Sequence, residues 1–131
     1  MAARETVDDM LARARAGLER MTPEEARLAM AGGALLVDIR SELQRTRDGG
    51  VAGAAAFPHN VLEWRADPAS PAHDPRFDAF DRPVIVMCDE GYQSSLAAAS
   101  LQRLGFEGAT DLVGGFQAWR TAGLPTQSCA E

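Results

Sequence analysis

Val84-Ile85-Val86-Met87-Cys88-Asp89-Glu90-Gly91-Tyr92-Gln93-Ser94-Ser95-Leu96-Ala97-Ala98-Ala99 is the stretch that decides how this chain is read. Its first four residues form an unbroken apolar run, as expected of a strand in a parallel sheet covered on both faces. Residues from Ser94 to Leu104 read as a helix, and Gly105 is its stop. The loop between must turn a strand into a helix. A loop of that kind points unpaired backbone N–H groups at one spot, and the helix dipole adds partial positive charge there. Free cysteine ionises near ~8.5, and helix N-termini are among the settings that lower this to roughly 3.5–7.5. Cys88, at the start of the loop, is therefore the candidate nucleophile. The competing reading is a buried, inert cysteine.

Working outward, Thr6 to Arg20 places Val7, Met10, Leu11, Ala14 and Leu18 on one face, which predicts an amphipathic helix docked on the domain. Thr22-Pro23-Glu24-Glu25 has the form of a capping box with proline in the first turn, and the helix it starts should end at Gly32-Gly33. Ala34-Leu35-Leu36-Val37 is a second buried strand, closing on Asp38-Ile39-Arg40. Ser41 to Gly50 is polar and reads as a short helix or turn. Val51 to Pro58 is a small-residue strand, and Asn60 is placed to cap a short helix through Trp64. Three prolines between Arg65 and Pro75 predict a surface loop, and Arg76 to Asp81 a brief helical turn. Ala109 to Val113 is a further strand, Gly114-Gly115 a tight turn, and Phe116 to Arg120 the last helix. Helices alternating with buried strands indicate a layered α/β sheet, in which sites form at the carboxyl ends of strands.

The bulk properties limit what the chain can do. Its 131 residues suit one domain with a substantial core, and 46% of them are hydrophobic. No apolar run is long enough to cross a bilayer and no secretory signal is visible, so the expected location is cytoplasmic, with no membrane partner. The net charge of −6 argues against a nucleic-acid partner. All thirteen basic residues are arginine, which excludes a lysine Schiff base or a lysine-bearing phosphate loop. Two histidines, His59 and His73, far apart and far from either cysteine, give no metal-ligand spacing. No metal or cofactor is therefore expected. The second cysteine, Cys129, lies in a polar tail and carries no expected role.

Three segments together resemble the rhodanese-like family. They are Leu35-Leu36-Val37-Asp38-Ile39-Arg40, Gly50-Val51-Ala52-Gly53-Ala54, and Gly114-Gly115-Phe116-Gln117-Ala118-Trp119 with Gly123-Leu124-Pro125. The resemblance places Cys88 at the family's active-site cysteine. It implies a small parallel sheet flanked by helices on both faces, here with an extra N-terminal helix. The expected boundaries are residues 1–21 for that helix, 22–126 for the rhodanese-like domain and 127–131 for the tail. It also implies sulfur transfer through a cysteine persulfide, with small sulfur-containing anions or thiols as substrates or a protein as sulfur acceptor.

The residues agree with that chemistry. The backbone from Asp89 through Glu90, Gly91, Tyr92, Gln93 and Ser94 to Ser95 can cradle a persulfide and an anionic donor, so these seven are the candidate substrate-binding residues. Ser94 or Ser95 can cap the helix, and their hydroxyls can also donate to the bound sulfur. Arg65, next to Trp64, is a candidate to reach an anionic donor. Asp38 and Arg40 are expected to support the loop as a structural ion pair. The chain departs from the family pattern in two places. Gly50-Val51-Ala52-Gly53 lacks the histidine often found at that turn. The loop carries Asp89 and Glu90 and no arginine, so the carboxylates either repel a thiosulfate-like donor or face solvent. A sulfur carrier or partner-binding module remains an alternative. A cysteine phosphatase or arsenate reductase is another, although the position six residues after the nucleophile, where such enzymes need arginine, is Ser94.

Overall fold

The computed structural model describes residues 3–129; residues 1, 2, 130 and 131, at the ends of the expected terminal segments, lie outside that range. The chain is α/β, as the sequence predicts. Strands β1 (Leu35–Asp38), β2 (Ala55–Ala56), β3 (Val84–Met87) and β4 (Thr110–Asp111) form a sheet in the order β2-β1-β3-β4. Every pairing is parallel, with Leu35 opposite Val84 and Asp38 opposite Met87. Around it lie α1 (Val7–Ala16), α2 (Pro23–Ala31), α3 (Glu42–Asp48), α4 (Leu62–Ala66), α5 (Gln93–Arg103) and α6 (Gly115–Thr121).

Alternation along the central strands divides the core in two. Leu35, Val37, Val84, Val86 and Cys88 share one side with Leu62 and Ala66 of α4 and Ala97, Ala98 and Leu101 of α5. Leu36, Ile85 and Met87 share the other with Ala26 of α2 and Phe116 and Trp119 of α6. A strand buried on both sides is apolar wherever its side chains lack a polar partner, which is why Leu35–Val37 of β1 and all of β3 were legible as unbroken runs, with Asp38 paired to Arg40 at the strand end. Each fully buried Val, Ile or Met of β3 stabilises the fold by about 1.5–3 kcal/mol, so the strand that delivers Cys88 is firmly anchored.

Several local expectations change. The predicted strands around Ala55 and Thr110 pair over two residues each, at the edges of the sheet. The first helix stops at Ala16, where Gly17 ends it, rather than at Arg20. Asn60 caps nothing: it lies inside a 3₁₀ turn, His59–Val61, that leads directly into α4. At the start of the expected tail, Gln127 and Gly50 exchange backbone hydrogen bonds of 2.8 Å. No helix among the described residues is long and apolar enough to cross a membrane.

The expected helical turn over Arg76 to Asp81 is absent, and Asp74 is the physical reason. Its carboxylate accepts from the Arg76 N–H at 2.9 Å, and a side chain bonded in this way to the backbone two residues on favours a turn over a helix. The same carboxylate accepts from the Arg76 and Arg65 guanidiniums, and the Asp74 N–H donates to the Arg65 carbonyl. Both guanidiniums also lie over the Phe57 ring.

The Arg76 hydrogen bonds hold the Asp74 carboxyl at about 2, below its ordinary 3.8. A lowered value means a contribution to stability that is complete above about 3.8 and is lost as pH falls through about 2. The arginine partners are well exposed, so solvent screening limits it to about 1 kcal/mol. Urea denaturation at pH 5 and at pH 2.5 should therefore show a smaller loss of stability on acidification for Asp74→Asn than for the wild type. Equal losses would mean that the carboxylate is not selectively stabilised by its arginines.

Candidate active site

Cys88 follows β3 directly, and alternation turns its side chain toward α5, where it is only 8% exposed. The loop then curls round the sulfur. The Gly91 N–H donates to Sγ at 3.1 Å and the Ser94 N–H approaches it at 3.4 Å. Both distances suit N–H donors to sulfur, so the thiol sits in a cradle made by the loop and the first turn of α5. Developing negative charge on sulfur would strengthen both bonds.

The loop's carbonyls are engaged elsewhere. Phe116 donates its N–H to the Cys88 carbonyl at 2.9 Å, and Gln117 donates its N–H to that of Asp89 at 3.1 Å. These contacts require α6 to start almost in contact with the loop. A Cβ on Gly115 (φ +62°) would stand 2.5 Å from the Cys88 oxygen, and one on Gly91 (φ +91°) would stand 2.7 Å from the Gly114 nitrogen. Glycine at both positions is therefore a steric necessity of the close approach as well as of the left-handed backbone. In a planar trans peptide the N–H points opposite to the C=O. Carbonyls held by α6 leave the following N–H groups facing away from it.

Asp111, at the carboxyl end of β4, organises the other side of the loop. It is fully buried and its Oδ2 accepts from the hydroxyls of Ser94 and Ser95, both at 2.8 Å. Arg20 donates to its two oxygens at 2.8 and 3.2 Å. The two serines thus neither cap α5, which has no side-chain cap, nor direct their hydroxyls to the sulfur. Each hydroxyl has one proton to donate, and the buried Asp111 carboxylate takes it, which leaves none for the sulfur.

A cavity of about 440 Å³ opens over Cys88. Asp89, Glu90, Tyr92 and Gln93 line it from the loop, and Ile39, Arg40, Gln44 and His59 from the facing segments. A groove of about 480 Å³ between α1 and α5, lined by Met10, Ala14 and Leu96 among others, does not include the cysteine. Asp89 is half-buried and accepts from Gln117 Nε2 at 2.9 Å, whereas Glu90 is exposed. Tyr92 and Gln93 are exposed at the rim, where Gln93 meets the His59 ring at 2.7 Å.

The remaining expected residues divide. Asp38 and Arg40 form a buried ion pair, with Arg40 Nε and Nη2 bonded to the two carboxylate oxygens at 3.1 and 2.8 Å. Arg40 Nη2 also donates to the Gly49 carbonyl, its guanidinium lies 3.9 Å over the Phe116 ring, and Nη1 has no hydrogen-bond partner among the described residues. Its place in the cavity wall goes beyond the structural role expected of it. Arg65 is not among the residues lining the cavity; Asp74 holds it in the loop network described above. His59, Gln44, Asp111, Gln117 and the N-terminal arginines were not singled out from the sequence. Only Asp111 carried a usable signal, its position at the carboxyl end of a parallel strand.

Comparison with known proteins agrees with this geometry. The rhodanese-like domain family matches residues 22–122. Thiosulfate sulfurtransferase GlpE of Haemophilus influenzae (strain PittEE) is 31% identical over 107 residues, 82% of this chain and 92% of that protein. Thiosulfate sulfurtransferase GlpE of Pseudomonas paraeruginosa is 35% identical over 104 residues, covering 79% and 84% of the two chains. Among solved structures, a Rhodopseudomonas palustris protein of unknown function, described as a possible tyrosine phosphatase, is 32% identical. It superimposes with a TM-score of 0.87 over 97% of this chain and 98% of its own. With a family match spanning most of its length and relatives of this similarity, the chain belongs to the rhodanese-like domain family.

Proposed function

We propose that the protein is a sulfurtransferase that carries sulfane sulfur as a Cys88 persulfide. The observation that carries this reading is the cradle: two backbone N–H groups converge on Sγ at the base of a cavity open to small molecules. The names of the GlpE relatives support it.

In the first step the Cys88 thiolate attacks the outer sulfur of a donor such as thiosulfate. A new S–S bond forms to Sγ, the donor's S–S bond breaks, and sulfite leaves with the bonding pair. In the second step a thiophilic acceptor, such as cyanide or a thiolate, attacks the terminal sulfur of Cys–S–S⁻ and the Cys88 thiolate departs. No net oxidation occurs and no general base is needed. The protein's part is to hold the anionic sulfur with N–H donors fixed beforehand. The loop residues Asp89 to Ser95 act mainly through their backbone, and Asp38 with Arg40 supports the wall facing them.

Phosphoryl transfer suits this site less well. It requires a guanidinium that grips the oxyanion in both prongs. Ser94 stands at the position where such an arginine would be, with its hydroxyl on Asp111, and the Arg40 guanidinium is committed to Asp38.

Mass spectrometry after exposure to thiosulfate is the direct test. The intact protein should gain one sulfur that cyanide removes, peptide mapping should place it on Cys88, and Cys88→Ser should neither gain sulfur nor transfer it. Sulfur found on Cys129 alone, or hydrolysis of p-nitrophenyl phosphate without sulfur uptake, would overturn the assignment.

Asp89 and Glu90 both face the cavity, so their charges oppose entry of a dianionic donor. Asp89→Asn/Glu90→Gln should raise kcat/KM for thiosulfate about threefold or more at low ionic strength, with the gain shrinking at high salt. A salt-independent fall in activity would show instead that a carboxylate positions a cationic or protein acceptor.

A further inference from the structure

We propose that Arg15 and Arg20, which precede the family's matched region, are positioning residues for sulfur transfer, holding the Gly91 carbonyl so that the Tyr92 N–H is presented to the cradle. This rests on the sulfur-transfer reading of Cys88 given above.

Gly91 stands between two peptides with opposite duties. Its own N–H donates to Cys88 Sγ. Its carbonyl accepts from Arg15 Nη2 at 2.8 Å and from Arg20 Nη2 at 3.0 Å. Two guanidiniums on one peptide oxygen is more than satisfaction of a buried acceptor requires, since one donor suffices for that. Both arginines are fixed by further hydrogen bonds. Arg15 Nε donates to the Ser95 hydroxyl at 3.0 Å, and Arg20 is held by both oxygens of buried Asp111. The Ser95 hydroxyl in turn donates to Asp111, so arginines, serine and aspartate form one closed network behind the loop.

The consequence follows from peptide geometry. The Gly91 carbonyl and the Tyr92 N–H belong to one planar trans unit and point in opposite directions. With the oxygen drawn toward the arginines, the N–H is turned away from them. Neither arginine lines the Cys88 cavity, whereas Tyr92 does. The Tyr92 N–H makes no hydrogen bond among the described residues, unlike those of Gly91 and Ser94. It is therefore one of the loop donors left for a second sulfur atom, one bond further out than Sγ, beside the N–H groups of Glu90 and Gln93, and it is the one whose peptide the two arginines hold. Two cations on the carbonyl also polarise the peptide and make its N–H a better donor.

This gives the N-terminal segment a role that its apolar face does not explain. None of the α1 side chains is fully buried, although the helix packs on α5. Its most specific contacts with the domain are those of Arg15 to the loop and to α5.

The test compares full-length Arg15→Met, Arg15→Lys and the double variant Arg20→Met/Asp111→Asn, which removes Arg20 without stranding a buried charge. Thiosulfate-to-cyanide kinetics, the lifetime of the isolated persulfide and thermal unfolding are measured on each. The inference expects kcat to fall at least about tenfold in Arg15→Met and in the double variant, with KM within about twofold of wild type. The persulfide should be shorter-lived in both, and Arg15→Lys, which keeps the charge and a donor, should recover most of the loss. Wild-type kcat and persulfide lifetime in Arg15→Met and the double variant would overturn it. So would a loss that disappears when activity is normalised to folded protein, or one that Lys does not recover, since either marks a purely structural role. Failure of the wild type to take up sulfur on Cys88 would instead defeat the sulfur-transfer reading itself.

Discussion

The arrangement rests on where the loop's carbonyl oxygens go. Those of Cys88 and Asp89 accept from the first turn of α6, that of Gly91 from two arginines, and that of Tyr92 from Ser95. Because each peptide is planar, anchoring these oxygens turns the N–H groups of Asp89, Glu90, Tyr92 and Gln93 away from the anchors and fixes the course of the chain between them, from which the Gly91 and Ser94 N–H groups reach the sulfur. A loop of five residues between strand and helix could curl in many ways. Here its freedom is removed from behind, so the cradle needs no rearrangement when charge develops on sulfur.

That constraint fixes choices elsewhere in the chain. Gly115 must lack a side chain so that α6 can approach, and β4 must end at Asp111 so that a carboxylate reaches the two serines. A fully buried carboxylate is costly to desolvate, and here four hydrogen bonds from Arg20, Ser94 and Ser95 offset that cost. Removing its cation alone would cost about 3–5 kcal/mol, on the scale of a large core cavity, because the charge would remain without a counterion. On the opposite wall Arg40 and Asp38 repeat the pattern, with an aromatic face under the guanidinium.

Much of this is legible in the amino-acid sequence. The strands β1 and β3, buried on both faces, leave a continuous apolar signature, and the capping box at Thr22 marks the start of α2. The Cys88 loop could be recognised because strand, glycine and helix occur in order within a dozen residues. What could not be read are contacts that depend on the fold to bring residues together. Ser94 and Ser95 looked like helix caps because Asp111 is 17 and 16 positions away, and local rules see only near neighbours. Arg15 and Arg20 reach Gly91 across 76 and 71 positions, and nothing in an amphipathic helix distinguishes an arginine that solvates a surface from one that holds a loop. Arg65 illustrates the same limit: its place beside Trp64 left donor contact and a loop charge both open, and the pairing with Asp74, nine residues on, is visible only in the fold.

The most direct test of the account is whether the N–H cradle closes on the transferred sulfur. In uniformly ¹⁵N-labelled protein, the amide proton resonances of Gly91, Tyr92 and Ser94 can be followed as Cys88 is loaded with sulfur from thiosulfate. The account predicts downfield movement of all three, reversed when cyanide discharges the persulfide, with amides on the remote face of α2 unmoved. Loading of Cys88 that leaves these three resonances in place would contradict it, because the sulfur would then be held by something other than the loop.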